Sequence, residues 1–522
     1  MGVEFRSLDL LTLGVYLATM AGLGVYFSRK NDSTEDYFVG NRSFKGWVIG
    51  LSMLSTSISS ITFLAFPAAA YTLDWRQLIS NLMLPLAAVL AIVVFIPFFR
   101  RGKLTSAFEY LGDRFGPVAR LYGTVSFLIL QIIRIGQILF LVAIPVNLFT
   151  GIPITTTIML VGVFIAFYTV AGGIEAVIWT DVIQAIVLWI GGLICLILMI
   201  DKLPEGISQV FSVAETHEKF SIGSMEWNLG ERTFWTVALL GIFHFLGMYS
   251  SDQNIIQRYV ATQSTREAKK ATLIYSVVAL PTWSLFFFIG TTLFVFYTVF
   301  PETSVASLEA DQVFPYFILS QLPAGVSGLI IAAVLAAGMS TLDSSINAIS
   351  TVTVVDILKP YWMKGRDDKT YLRTARWIAI GVSLLMMGGA FFFSVIEKES
   401  INDISWIVAS VFGGCLVGLF MIGFFTTRVG YKAVLPALLL SVLVNLYLGF
   451  SLTGWLPEVI SMDIQAYWVG VIVNLLFMAL AYIFSFFIKN NKELDGLTVW
   501  TTLTAKDINL VEKNARESSI QS

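Results

Sequence analysis

Thirteen stretches of this chain are long and apolar enough to cross a bilayer: roughly 8–27, 46–72, 78–98, 121–149, 153–171, 176–200, 233–250, 272–298, 325–356, 375–395, 403–426, 432–450 and 464–488. About 20 predominantly apolar residues in a helix span the roughly 30 Å of hydrocarbon. No water is available there, so the backbone must close its hydrogen bonds within each segment or in a closed barrel. Uninterrupted runs of this length predict helices, and the fold class is an all-α polytopic membrane protein. Composition agrees, with 56% hydrophobic residues, 13% charged and a mean hydropathy of +0.78. The first span is too long for a signal-peptide core and no small-residue cleavage site follows, so it reads as a mature helix. Cys195 and Cys415 both fall in spans, which argues against a disulfide framework or a zinc site. His217 falls in a polar loop. His244 lies in a span, where packing, a bound water and a substrate contact are all open readings.

Lys and Arg set the orientation. With the N-terminus outside, 23 of the 33 basic residues fall in the inner loops and the start of the tail, six lie outside and three sit in the distal tail. The C-terminus is then cytoplasmic. No nucleic-acid partner is expected. The remaining basic residue is Arg134, in the middle of LYGTVSFLILQIIRIGQILFLVAIPVNLF. Reaching either surface would take about ten residues of helix, on the order of 15 Å, so Arg134 must face protein or a water-filled cavity. Its span holds no Asp or Glu. Either it pairs with Asp181 or Asp343 from another span, or it is held for an anion, and its planar fork suits a carboxylate.

Two spans carry the wrong chemistry for lipid. Residues 328–358 hold Ser340, Thr341, Asp343, Ser344, Ser345 and Asn347, although an unpartnered hydroxyl in hydrocarbon costs roughly 2–7 kcal/mol and a mid-membrane Asp about 2.5–3.5 kcal/mol. On a helix these oxygens form one stripe, with Ala337 one turn before Thr341. Small oxygen donors with one carboxylate suit a hard monovalent cation; a contact between helices is the plainer reading. The span GWVIGLSMLSTSISSITFLAFPAAAYT carries Ser52, Ser55, Thr56, Ser57, Ser59, Ser60 and Thr62 before Pro67. So many competitors for backbone hydrogen bonds predict a broken helix lining a cavity, with a kinked helix as the alternative. Together these features suggest a mid-membrane binding site, and with no re-entrant filter sequence visible a transporter is favoured over a pore.

Five motifs in register carry a resemblance to the sodium/solute symporters: EDYFVGNR at 35–42, TSAFEYLGDRFG at 105–116, GGIEAVIWTDVIQ at 172–184, DQNIIQRYVA at 252–261 and AAGMSTLDSSINAISTVTVVD at 336–356. The resemblance implies a leucine-transporter-type core of two inverted five-helix repeats at 46–426. It also implies an extra helix and cytoplasmic loop at 1–45, two C-terminal helices at 427–488 and a cytoplasmic tail at 489–522. It implies one or two sodium ions and a plasma membrane, with the bacterial inner membrane expected. The main site would use the carbonyls of Ser55, Ile58 and Ala337 and the hydroxyls of Ser340 and Thr341. A second would use Asp181, Ser340, Asp343 and Ser344. Asp343 departs from similar members, which bear a hydroxyl there; a second carboxylate either strengthens a cation site or takes a proton. Arg134 falls where sialic acid transporters of this family place an arginine for the substrate carboxylate. Ser57, Ser59, Thr62, Gln77 and Asn81 would complete the substrate pocket, with Phe243 or Tyr249 able to stack on a sugar.

The expected function is therefore sodium-coupled import of a small organic solute, an acidic sugar such as sialic acid. A neutral monosaccharide, inositol or another small carboxylate is the alternative. An intramembrane enzyme is the competing class, with Asp181 and Asp343 as a conceivable pair, but neither lies in a recognisable catalytic motif and the hydroxyl stripe would have no role.

Overall fold

In lipid a segment that satisfies its own amides is favoured, and the computed structural model contains helices and no β-strand among the residues it describes, which are 6–28, 33–101, 104–228, 231, 233–395, 413–452, 456–462 and 464–501. Among the described residues ten helices are long and apolar enough to cross a membrane, and Gly46–Ser57 with Thr62–Thr72 forms a bent crossing. Two features account for the difference from thirteen. The expected spans 153–171 and 176–200 lie in one run, Ile154–Asp201, which would be about 72 Å long if straight. Gly173 divides it at φ 56°, where a side chain would press on Tyr37, so glycine's backbone freedom makes the corner. The span expected at 403–426 begins outside the described residues, and its end appears as Leu416–Phe425. The tail is described to Thr501, and its Val499 amide and Trp500 indole donate to the Phe424 and Phe425 carbonyls at 2.9 and 2.7 Å.

The helix Val326–Val352 is the centre of the bundle. Its span is 89% buried against 22% for Ser7–Ser28. Leucine gains nothing by leaving lipid for protein, so close backbone approach and interhelical hydrogen bonds hold such a bundle together. A Cβ on Gly290 would stand 2.2 Å from the Pro67 carbonyl oxygen, so Thr265–Val299 touches the second half of the bent crossing directly. The buried Asp9 carboxylate accepts from the amides of Gly325 at 2.6 Å and Gly328 at 2.9 Å. It thereby pins the peripheral first helix to the start of the central one, where free amides and the helix dipole favour an anion.

Among the described residues two crossings break into separate helices, each the first of a five-helix half that the resemblance implies. The first runs Gly46–Ser57, leaves helical geometry at Ile58 (φ −96°, ψ 104°) and resumes as Ser60–Thr72. The second runs Phe234–Ser251, breaks at Asp252 (φ −85°, ψ 111°) and resumes as Gln253–Val260. Breaks at corresponding places in two halves are the architecture that puts a binding site at mid-membrane. The first was legible from its hydroxyls. The second was not, because the apolar pattern ends at the break.

Candidate functional site

The first break follows from its own side chains. Thr56 and Ser57 donate their hydroxyls to the carbonyls of Ser52 and Leu54 at 2.9 and 2.8 Å, competing with the helix ladder just before it ends. The two halves are bent by 56°. The central helix lies against this bend. Ser340 donates to the Ser55 carbonyl at 2.9 Å and to that of Ala337 at 3.1 Å, and Thr341 donates to the Thr56 carbonyl at 3.2 Å. Ser55, Ile58, Ala337, Ser340 and Thr341 are thus gathered on two facing elements, all buried. Their oxygens are neutral hydroxyls and carbonyls, a donor set that fits a hard monovalent cation.

Below it lies a buried ionic network that sequence reasoning placed incorrectly. Arg258, counted among the inner-loop charges, is 1% exposed on the short helix Gln253–Val260. Its guanidinium pairs with Asp181 at 2.7 Å. It also donates to Ser52 Oγ at 2.8 Å, Asn254 O at 2.7 Å and Ser344 Oγ at 2.5 Å. One side chain therefore ties together both broken helices, the central helix and Ile154–Asp201. The other Asp181 oxygen, Oδ1, is buried with no hydrogen-bond partner. Asp343 accepts from the Tyr168 hydroxyl at 2.8 Å and the Ser344 hydroxyl at 3.2 Å. Two carboxylates and one guanidinium leave one negative charge, which a single monovalent cation or proton would balance. The signal for Arg258 was a buried Asp181 lacking a cation in its own span, with an arginine just past the end of another.

A cavity of about 440 Å³ opens beside both breaks. Arg134 projects into it from Pro117–Thr150, and Ser57, Thr62, Gln77, Asn81 and Thr341 share its wall. Ser59 is buried at the break and does not line the cavity. Phe243 lines it; Tyr249 does not, and its hydroxyl lies 3.5 Å from that of Ser276. Neither carboxylate offered as a structural partner for Arg134 meets it, since Asp181 holds Arg258 and Asp343 holds Tyr168. The cavity's other cation, Arg76, is bound two-pronged by Asp74 at 2.8–3.1 Å, and that hydrogen bonding raises its pKa further. Asp252, the acid on the wall, caps Gln253–Val260 by accepting from Asn254 at 2.9 and 2.8 Å. Among the described cavity residues, Arg134 is the cation with no carboxylate partner, and a guanidinium there suits an anionic guest.

A family model described as the sodium:solute symporter family matches residues 37–440. The chain is 32% identical over 513 residues, 98% of its length and 99% of the relative's, to the sodium/sialic acid symporter NanT of Aliivibrio fischeri. It is 33% identical to the sodium/sialic acid symporter SiaT of Proteus mirabilis, over 84% of this chain and 89% of that one. It is 31% identical to the human sodium/iodide cotransporter, over 85% and 70% respectively. Among solved structures, the substrate-bound outward-open state of a Na⁺-coupled sialic acid symporter superposes with a TM-score of 0.88 at 30% identity, covering 94% of this chain and all of that one. Mhp1, a nucleobase-cation-symport-1 family transporter, superposes at 0.54 and 14% identity, a likeness of fold.

Proposed function

The chain belongs to the sodium:solute symporter family, and we propose that it imports an acidic sugar of the sialic acid class together with sodium across a bacterial inner membrane, with its N-terminus outside. One observation carries the choice of solute: Arg134 faces the mid-membrane cavity without a carboxylate partner among the described residues. The guanidinium holds the solute carboxylate two-pronged, and Ser57, Thr62, Gln77 and Asn81 meet its hydroxyls and amide. About 440 Å³ is within the ordinary range for small-molecule pockets.

Sodium occupies the oxygens of Ser55, Ile58, Ala337, Ser340 and Thr341. In doing so it ties the central helix to the break whose far side forms the pocket, so ion and solute bind cooperatively. The unpartnered Oδ1 of Asp181, with Asp343 and Ser344, is the place for a second cation; the surplus of one negative charge supports it. At 100 mV and a tenfold gradient each sodium ion contributes about 3.7 kcal/mol, and a monovalent anion entering a negative interior gives back about 2.3 kcal/mol. Closure outside and opening inside move the core helices against their partners, with no covalent chemistry.

The test is sodium-dependent uptake of labelled N-acetylneuraminate into proteoliposomes, with competitors. The acid competes, whereas its methyl ester and neutral hexoses do so far less. Arg134→Lys, which cannot reproduce the two-pronged contact, loses about 2–5 kcal/mol of binding. Equal competition by glucose or inositol overturns the acidic-sugar reading and leaves sodium symport standing; competition by every small carboxylate tested moves the reading to a simpler acid.

A further inference from the structure

His244 also stands on the cavity wall. It lies within the crossing Phe234–Ser251, yet its side chain is exposed to the cavity. Among the described residues no group hydrogen-bonds to either ring nitrogen. The ring meets Phe245 edge-on at 5.0 Å, and its charged neighbour is Arg134. The adjacent Phe245 shows what a packing residue looks like here, at 2% exposure. An imidazole that served packing alone would lose nothing as a phenyl ring and would spare the cost of placing two polar nitrogens at mid-membrane. Neutral imidazole offers one donor and one acceptor, complementary to a hydroxyl or an amide and of little use to a carboxylate already held by a guanidinium.

We propose that His244 is the second polar contact of the transported acid, exchanging a hydrogen bond with a hydroxyl or amide of the solute while Arg134 holds its carboxylate. This rests on the acidic-sugar reading and deepens it, because the pair makes the pocket selective for a polyhydroxylated acid. A site built to hydrogen-bond a hydroxyl rejects a ligand lacking it, since its own polar group is then left unpaired.

The chain has two histidines, His217 in the outer loop region and His244 in the cavity, so modification by diethylpyrocarbonate followed by peptide mass spectrometry reads each separately in the intact wild-type protein. In sodium, N-acetylneuraminate slows modification of His244 at least severalfold and leaves His217 unchanged, and glucose protects neither. His244→Phe raises the half-saturating concentration of N-acetylneuraminate roughly three- to tenfold, with sodium dependence retained, and His244→Gln recovers most of the affinity. Unchanged modification of His244 under saturating acid, or equal affinity of wild type and the Phe variant, overturns the contact while the acidic-sugar reading survives. Failure of the wild type to bind N-acetylneuraminate at all overturns both.

Discussion

Replacing Arg258 with methionine tests the buried network that joins the two halves of the bundle. The guanidinium and the Asp181 carboxylate are 1% and 0% exposed and 2.7 Å apart. At an effective dielectric of 20 that separation corresponds to about 6 kcal/mol of attraction, most of it offset by desolvation. Breaking such a pair from one side costs about 3–5 kcal/mol, because the partner charge stays buried and uncompensated. The geometry makes the two sides unequal. Without Arg258, Asp181 keeps the Ser52 hydroxyl at 2.6 Å and a long contact to Thr56 at 3.4 Å, and Asp343 remains nearby as a like charge. Without the Asp181 charge, Arg258 still donates to Ser52, Asn254 and Ser344. Arg258→Met therefore destabilises by about 3–5 kcal/mol and Asp181→Asn by about 1–3 kcal/mol, and Arg258→Met with Asp181→Leu recovers part of the first loss. Denaturation of the purified protein in nanodiscs, in choline and in sodium, measures all three. Sodium narrows the deficit of Arg258→Met, since a bound cation stabilises the native state by mass action. Equal losses for the two single changes, or strict additivity in the double, would refute the asymmetric network.

Ser340→Ala and Thr341→Ala each remove one of about five oxygens and raise the sodium concentration for half-maximal uptake severalfold with normal insertion; unchanged sodium dependence in both would move the ion elsewhere. Asp343→Asn lowers the Hill coefficient for sodium if Asp343 serves a second ion and flattens the pH dependence of uptake if it carries a proton; retention of both behaviours assigns it to the Tyr168 contact alone. Gly290→Ala places a methyl where the Pro67 carbonyl oxygen would be 2.2 Å away and lowers stability by about 1–3 kcal/mol; a variant as stable as the wild type would show that the two helices part freely.

Much of the site could be read along the chain. Ser340 and Thr341 were noticed because hydroxyls in lipid-length spans need a reason, the resemblance to the symporters added the carbonyls of Ser55, Ile58 and Ala337, and the structure sets Ser340 and Thr341 against the first break. Arg134 was noticed because it is too deep to snorkel, and it faces the cavity. Ser59 was grouped with the pocket through the resemblance, and in the structure it is buried at the break and not part of the cavity wall. His244 was ambiguous, because nothing in a one-dimensional pattern tells a helix face that meets lipid from one that meets water inside the protein.

The sequence by itself determined the all-helical membrane class, most of the spans and the two polar regions, since each follows from the local cost of putting polar groups or open amides into hydrocarbon. Tertiary structure decided the pairings. Asp181 took Arg258 and left Arg134 to the cavity, because the second broken helix carries Arg258 to Asp181 while Arg134 faces the cavity from Pro117–Thr150. Charge pairing across a bundle is set by separations of a few ångströms between segments dozens of residues apart, and periodicity along one segment carries no information about them.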